Sequence, residues 1–521
     1  MHLRTFERAM RRRSLFEVWD FDMDHRNSRQ RHRRKRTRAR RNIRTLKAPN
    51  VLLDEEEALE EEDPQPPSWR ELMEDGKALI KQGRAPEAAE AFCRACDLRP
   101  DHVITVQHLG AALLSAGDPQ GAAAWFEEGL GHAPGNPLLL HGKGVAYHAM
   151  GARGQALDAF RSTVSRDADA WASWQSIADL TPDENERLQG IDAAADALLR
   201  ACARPTAAGN DYFRCATALI EAHRFDEAVR FTEKHFHQFA HPRIAHNKLA
   251  SAHYRRGAFA DAFFHKLRAL QCLTLDDIGS ASQQAIFDPD AALAALADIY
   301  AILEAASVSA FLAAGTLLGF VRNGGPLPYD RDVDLGVLPA GDGGPDIARI
   351  LREHPALMLS RAARPGDRYF ALTHKSIGID IFVYANDDDA LTCGFSLNPG
   401  DIQWRFSAFD AVPRTFKDRS FRTPADVQRY LAETYGPEWR RADKGYASAI
   451  SSPALSGVDD YARAFYSVAR AERSLLLGDR EKAEALISQS PIRIDFTAPT
   501  SSSAVETSAP GAAANSNEEN H

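Results

Sequence analysis

Small and aromatic residues recur across positions 69–272 at a fixed interval. Gly76, Gly110 and Gly144 stand 34 residues apart, as do Ala88, Ala122 and Ala156, and Phe92, Phe126 and Phe160. A small residue lets two antiparallel helices approach, an aromatic fills the gap between them, and a proline such as Pro100 or Pro134 stops the second helix. Each unit therefore predicts one helix pair. The phase weakens over 175–210, after Trp174, and returns with Ala228 and Ala262, again 34 apart, and with Gly257 at an inter-helix turn. We expect five or six helix pairs in one solenoid over 68–272, the middle one degraded.

Beyond residue 285 the period changes. Leu293, Leu296, Ile299, Ile302 and Leu303 keep helical spacing behind the helix-start pair Asp288-Pro289. A strand-like run, Val308–Leu312, then feeds a small-residue turn and helix start, Gly315-Thr-Leu-Leu-Gly-Phe-Val-Arg322. Such a turn exposes backbone N–H groups that suit phosphate, with Gly315, Thr316 and Arg322 as its cradle. Asp330-Arg-Asp-Val-Asp334 runs straight into the apolar Leu335–Leu338. Alternate residues of a strand share a face, so Asp330, Asp332 and Asp334 are expected to point one way. Like charges crowd there most readily around a divalent cation, and Mg²⁺ or Mn²⁺ favours carboxylate oxygens plus substrate phosphate. A later strand, Ile377–Tyr384, embeds Asp380 among apolar residues, where a carboxylate is costly unless paired or metal-bound. Asp387–Asp389 reads as a solvent-facing loop, and His374 and Lys375 are open between substrate contact and plain surface loop. Ala471, Gly478 and Ala483 repeat the mutual spacing of Gly76, Gly83 and Ala88, which predicts one further helix pair over 455–490.

Charge separates the ends from the rest. Residues 1–47 hold 17 Lys/Arg against five acids, and 54–63 hold eight acids, although the chain as a whole carries only −9. Such blocks bury little apolar surface and are expected to be disordered, as is the Ser/Ala/Asn-rich segment 491–521. The basic block is a candidate contact for an anionic membrane surface, and nothing in it resembles a base-reading module, which argues against sequence-specific nucleic-acid binding. With 521 residues, 44% of them hydrophobic, there is room for two or three folded units. Six scattered cysteines point to a reducing compartment, and the lack of an apolar h-region points to a cytoplasmic protein. The uncharged stretch from Ala305 to Val321 is short for a bilayer span and carries Gly315 and Gly319. Cys93-x-x-Cys96 and the histidines 235, 237, 241 and 246 read as packing and a wet helix turn rather than metal sites.

Two resemblances follow from these motifs. The 34-residue pattern resembles tetratricopeptide repeats, a binding platform that names no chemistry. Residues 295–446 resemble the LicD/fukutin-related family through the glycine-threonine turn with Arg322, Pro328-Tyr-Asp-Arg-Asp-Val-Asp334, Ile379-Asp-Ile-Phe382 and Tyr435-Gly-Pro-Glu-Trp439. The family usually has Trp near 329 and an acid at 331, where this chain has Tyr329 and Arg331. The resemblances imply a multidomain chain: a disordered tail over 1–67, an all-α solenoid, an α/β nucleotidyltransferase-fold domain over 285–450, the helix pair and a second tail. They imply transfer of a phosphocholine or polyol-phosphate group from a CDP-linked donor to a glycan acceptor. Asp330, Asp332, Asp334 and Asp380 would hold Mg²⁺ or Mn²⁺, with the solenoid holding the acceptor or a protein partner. An Asp-metal glycosyltransferase, or a solenoid scaffold with a retired enzyme domain, fits the same residues.

Overall fold

The computed structural model describes residues 66–281, 288–327, 332–339, 346–416 and 419–496. The basic and acidic blocks, the tail beyond 496 and Asp330 therefore lie outside the described residues. The described residues divide into two compact units, one holding those of 66–224, 288–384 and 411–423, the other those of 225–281, 385–410 and 424–496.

Among the described residues twelve α-helices lie between 69 and 271. Nine belong to the first unit: α1 (Trp69–Lys81), α2 (Ala85–Leu98), α3 (Val103–Ala116), α4 (Pro119–His132), α5 (Pro137–Ala149), α6 (Arg153–Arg166), α7 (Trp171–Leu180), α8 (Glu184–Cys202) and α9 (Gly209–Glu221). The second unit holds α10 (Phe225–Lys234), α11 (Pro242–Arg255) and α12 (Phe259–Gln271). The 34-residue period has a steric cause. A Cβ at Gly76 would come within 2.5 Å of the Phe92 ring, at Gly110 within 2.2 Å of Phe126, and at Gly144 within 2.6 Å of Phe160. Each glycine is thus the seat of the aromatic of its partner helix, and any side chain there would drive the pair apart. The inter-helix turns at Gly83, Gly117 and Gly151 take φ of 77°, 87° and 76°, and His223 occupies the same left-handed position, at 59°, 34 residues before Gly257. The degraded stretch is real and has a form: a 10-residue α7 is followed by a 19-residue α8. Cys96 is 1% exposed and burial pushes its thiol up to about 12, which makes it a packing residue.

Histidines inside the repeats give this solenoid an acid limit. His141 lies 2.8 Å through Nδ1 from the Ser173 hydroxyl, and burial lowers it from 6.5 to about 4. Burial lowers His148 to about 4 as well. The unfolded chain takes up these protons near pH 6.5 and the folded chain only near 4, so their contribution is intact above 6.5 and is lost as pH falls toward 4. The melting temperature should decline over that window, and His141→Gln should flatten the decline.

From residue 289 the chain order is α13 (Pro289–Ala305), β1 (Ala310–Leu312), α14 (Ala314–Asn323), β2 (Asp332–Val337), α15 (Ile347–Glu353), β3 (Tyr369–His374), β4 (Ile377–Val383), β5 (Ala385–Asp387), β6 (Ala390–Gly394), β7 (Gln403–Ser407), β8 (Ala411–Phe416), β9 (Arg419–Pro424), α16 (Val427–Tyr435), α17 (Ser448–Ser451), α18 (Asp460–Leu476) and α19 (Arg480–Ser488). In the first unit four strands form a sheet of order β1-β2-β4-β3, with β2 and β4 parallel and the outer pairs antiparallel. One face is apolar: Val333, Leu335, Ile379 and Ile381 are at most 1% exposed. Asp288 caps α13 by accepting from the backbone N–H of Asp290 and Ala291, as its Asp-Pro start predicts. Phe320 of α14 meets Phe416 and Phe421 of the β8–β9 hairpin edge to face.

The second unit contains the sheet β5-β6-β7 and the expected further helix pair. Ala464, Val468, Ala471 and Leu475 of α18 share one core with Phe263 and Leu270 of α12 and with Ala483 and Leu486 of α19. Glu472, 4% exposed in its side chain, pairs with Lys266 at 2.6 Å and accepts from Asn247 at 3.1 Å. The helix pair α18–α19 thus stacks on α12 as a repeat would. The repeat array resumes after an insertion of some 190 residues. Asp387–Asp389 forms the exposed β5–β6 turn, with Arg405 bound to Asp387 at 2.8 Å. No helix among the described residues is long and apolar enough to cross a membrane.

Candidate active site

Two aspartates meet at the centre of the first unit's sheet. Asp334 of β2 and Asp380 of β4 are direct register partners on parallel strands, and Asp332 stands opposite Gly378. Burial alternates as iBiB along β2 and BiBi along β4, so Asp332, Asp334 and Asp380 share the half-exposed face, opposite the apolar one. Parallel neighbours lie about 4.8 Å apart, which brings two carboxylates into one small volume.

The N-terminus of α14 closes on Asp334. Its cap residue is Ala313, which has no side chain to satisfy the first-turn N–H groups, and Ala314 sits at φ 38°. Asp334 does the capping from across the turn: its Oδ2 accepts the Gly315 N–H at 2.9 Å, and its own N–H donates to the Thr316 hydroxyl at 2.8 Å. The positive end of the helix is thereby directed at a carboxylate. The sequence assigned Gly315 and Thr316 to phosphate, and the structure joins both to Asp334. Arg322 lies seven residues along α14, about 10 Å of helix rise from Gly315. On the other strand, Asp380 Oδ1 accepts the Tyr369 hydroxyl at 2.9 Å.

His374 and Lys375, open between two readings in the sequence, are held at the β3–β4 turn by Asp298 of α13, at 2.8 and 2.5 Å. Burial pushes the Asp298 carboxyl up, but hydrogen bonds from Lys375 and His374 outweigh it and leave the group below its usual range. The histidines over 235–246 are spent locally: His241 Nδ1 accepts the Arg243 N–H, and His246 lies against His265. Among the described residues no group of three or more His, Cys, Asp or Glu stands in metal-holding geometry.

Residues 307–426 match the family described as LicD/FKTN/FKRP, nucleotidyltransferase domain, and residues 73–137 match the tetratricopeptide repeat. The chain joins a LicD domain to tetratricopeptide repeats. Ribitol-5-phosphate transferase FKTN of Mus musculus is 28% identical over 142 residues, which is 26% of this chain and 31% of that protein. The chain thus spans about a third of the length of this curated relative. Among solved structures, a tetratricopeptide repeat protein from Parabacteroides merdae is 16% identical, covering 39% of this chain and 79% of that one at a TM-score of 0.28. YrrB, described as a TPR protein with an unusual peptide-binding site, is 17% identical, covering 35% and 93% at 0.27.

The LicD match begins just before β1 and ends at the cap of α16, so it contains Gly315, Arg322, Asp332, Asp334 and Asp380. Within the first unit, the segment between α15 and β3 of this domain is gripped by the repeats. Arg187 of α8, 1% exposed, donates through Nη2 to the carbonyls of Ser360, Arg361 and Ala363 at 2.9, 3.3 and 2.8 Å. Arg361 forks onto Asp179 at 2.8 and 2.7 Å, and Arg352 meets Glu184 at 2.6 Å. Sequence reasoning missed both Arg187 and Tyr369.

Proposed function

We propose that this chain transfers a phospho-substituted group, of the phosphocholine or polyol-phosphate type, from a CDP-linked donor to a glycan acceptor. The observation supporting it is the in-register pair Asp334–Asp380, with Asp334 facing the N-terminus of α14, within the stretch that matches LicD. The residue chemistry suits Mg²⁺ or Mn²⁺: the candidate donors are all carboxylate oxygens, on a half-exposed face open to substrate phosphate. Asp332, Asp334 and Asp380 would hold the ion, with Asp330 before them in sequence. A bound ion would supply charge neutralisation at the donor diphosphate and at the departing nucleotide.

The chain's own groups do the rest. Arg322 offers a planar fork to phosphate oxygen. Asp380 takes the proton of the acceptor hydroxyl as its oxygen bonds to phosphorus, and the phosphorus–oxygen bond to CMP breaks. The repeats offer a surface for a protein partner or the acceptor. The test is mass spectrometry of the full chain with CDP-choline, CDP-glycerol or CDP-ribitol, Mg²⁺ or Mn²⁺, and candidate glycans. CMP release with added phosphate on the glycan is expected. Sugar transfer with release of a nucleoside diphosphate, or no turnover with any donor, would overturn the proposal.

A further inference from the structure

We infer that Tyr369 is a positioning residue for Asp380, holding that carboxylate in the orientation in which it serves the proposed metal and acceptor. The inference rests on the transferase reading and goes beyond the aspartate set. Tyr369 opens β3, where its register partner is Phe382; Asp380, the partner of Ala371, is its diagonal neighbour two residues away on the same face. Diagonal neighbours in an antiparallel pair are within reach of a long aromatic side chain. The hydroxyl spans that gap and donates to Asp380 Oδ1 at 2.9 Å. The ring is itself held, tilted against Phe382 at 5.1 Å between centroids.

A carboxylate that must present one oxygen to an ion needs its rotation fixed, and a neutral donor on the other oxygen does this without adding charge. Outer-shell donors of this kind typically matter by about 10–100-fold in metal affinity or activity. The strand that delivers Tyr369 is anchored immediately upstream. Asp367 accepts the Arg364 N–H at 2.7 Å, and Arg364 donates to the Glu221 carbonyl at 2.9 Å, so the position of the hydroxyl is set by the fold.

The test is Tyr369→Phe in the full chain, which keeps the ring and removes only the hydroxyl. Mn²⁺ binding without donor, read by electron paramagnetic resonance, should weaken by about 10-fold. The melting temperature should stay within about 2 °C of wild type. In CMP release, kcat should fall by about 10–100-fold with a small change in donor KM. Tyr369→Leu, which also removes the ring, should lower the melting temperature as well. Unchanged Mn²⁺ affinity and kcat in Tyr369→Phe, in a wild type that binds Mn²⁺ and turns over, would overturn the role of Tyr369 alone. A wild type that binds no Mn²⁺ and releases no CMP would overturn the transferase reading and this inference together.

Discussion

Asp334→Asn is expected to reduce CMP release by about 10²–10³-fold or more while leaving the fold intact, because under the proposed transfer its charge is aimed at the transition state and outweighs its capping role. The carboxylate carries charge beside Asp380, and it caps α14 through the Gly315 N–H. Asparagine retains an oxygen that can accept this N–H, so the substitution separates the roles: the cap survives and the charge is lost. Asp334→Ala loses both and should unfold more easily by about 1 kcal/mol, the usual worth of a helix cap. Asp380→Asn should match the activity loss, since it keeps an acceptor for the Tyr369 hydroxyl. Turnover in Asp334→Asn within a few-fold of wild type at saturating Mg²⁺ would remove the aspartate pair from the mechanism. Equal melting losses in the Asn and Ala variants would instead mean that the charge, rather than the hydrogen bond, holds α14.

What the sequence disclosed and what it withheld divide along physical lines. The repeats were legible because one steric event, a ring seated on a glycine, recurs three times and leaves the same mark at Gly76, Gly110 and Gly144. The shared face of Asp332 and Asp334 was legible because a strand alternates, and the neighbouring apolar residues fix which face is buried. The pairing of Asp334 with Asp380 was not, because it depends on how two strands separated by 39 residues come into register. Tyr369 was hidden for a related reason. Its approach to Asp380 depends on a two-residue turn at Lys375-Ser376, both at positive φ, where neither residue is the glycine or asparagine that announces such a hairpin. A reader who allowed a type I′-like turn there could have counted back from Asp380 to Tyr369. The grip of Arg187 could not be read at all, since its acceptors are backbone carbonyls in an irregular segment, and carbonyls have no signature in sequence.

That grip sets a further expected loss: Arg187→Met should destabilise the first unit by about 1–3 kcal/mol, the range for losing hydrogen bonds from a buried charged donor. Methionine matches much of the volume and packs acceptably, so the loss is in polar satisfaction. The carbonyls of Ser360, Arg361 and Ala363 would each lose a charged donor and keep one other, the Ala363 N–H on Ser360 and Arg364 on the other two, which holds the cost to a few kcal/mol at most. Glu184 would keep Arg352 at 2.6 Å, which spares it from becoming an isolated buried charge and sets the ceiling on the cost. For a unit of this size the fall in melting temperature should be on the order of 5 °C. Two views of the repeats are separated by this one variant. If they serve only to bring an acceptor close, a change in α8 should leave donor hydrolysis to CMP unaffected and weaken only transfer to the glycan. The carbonyl grip predicts otherwise. The segment it fixes leads into β3 and hence to Tyr369, so hydrolysis and transfer should fall together, and at temperatures well below the new melting point. Thermal melting paired with both activity assays decides between them: an unshifted melting point with normal hydrolysis would make the repeats a detachable tether rather than a wall of the catalytic unit.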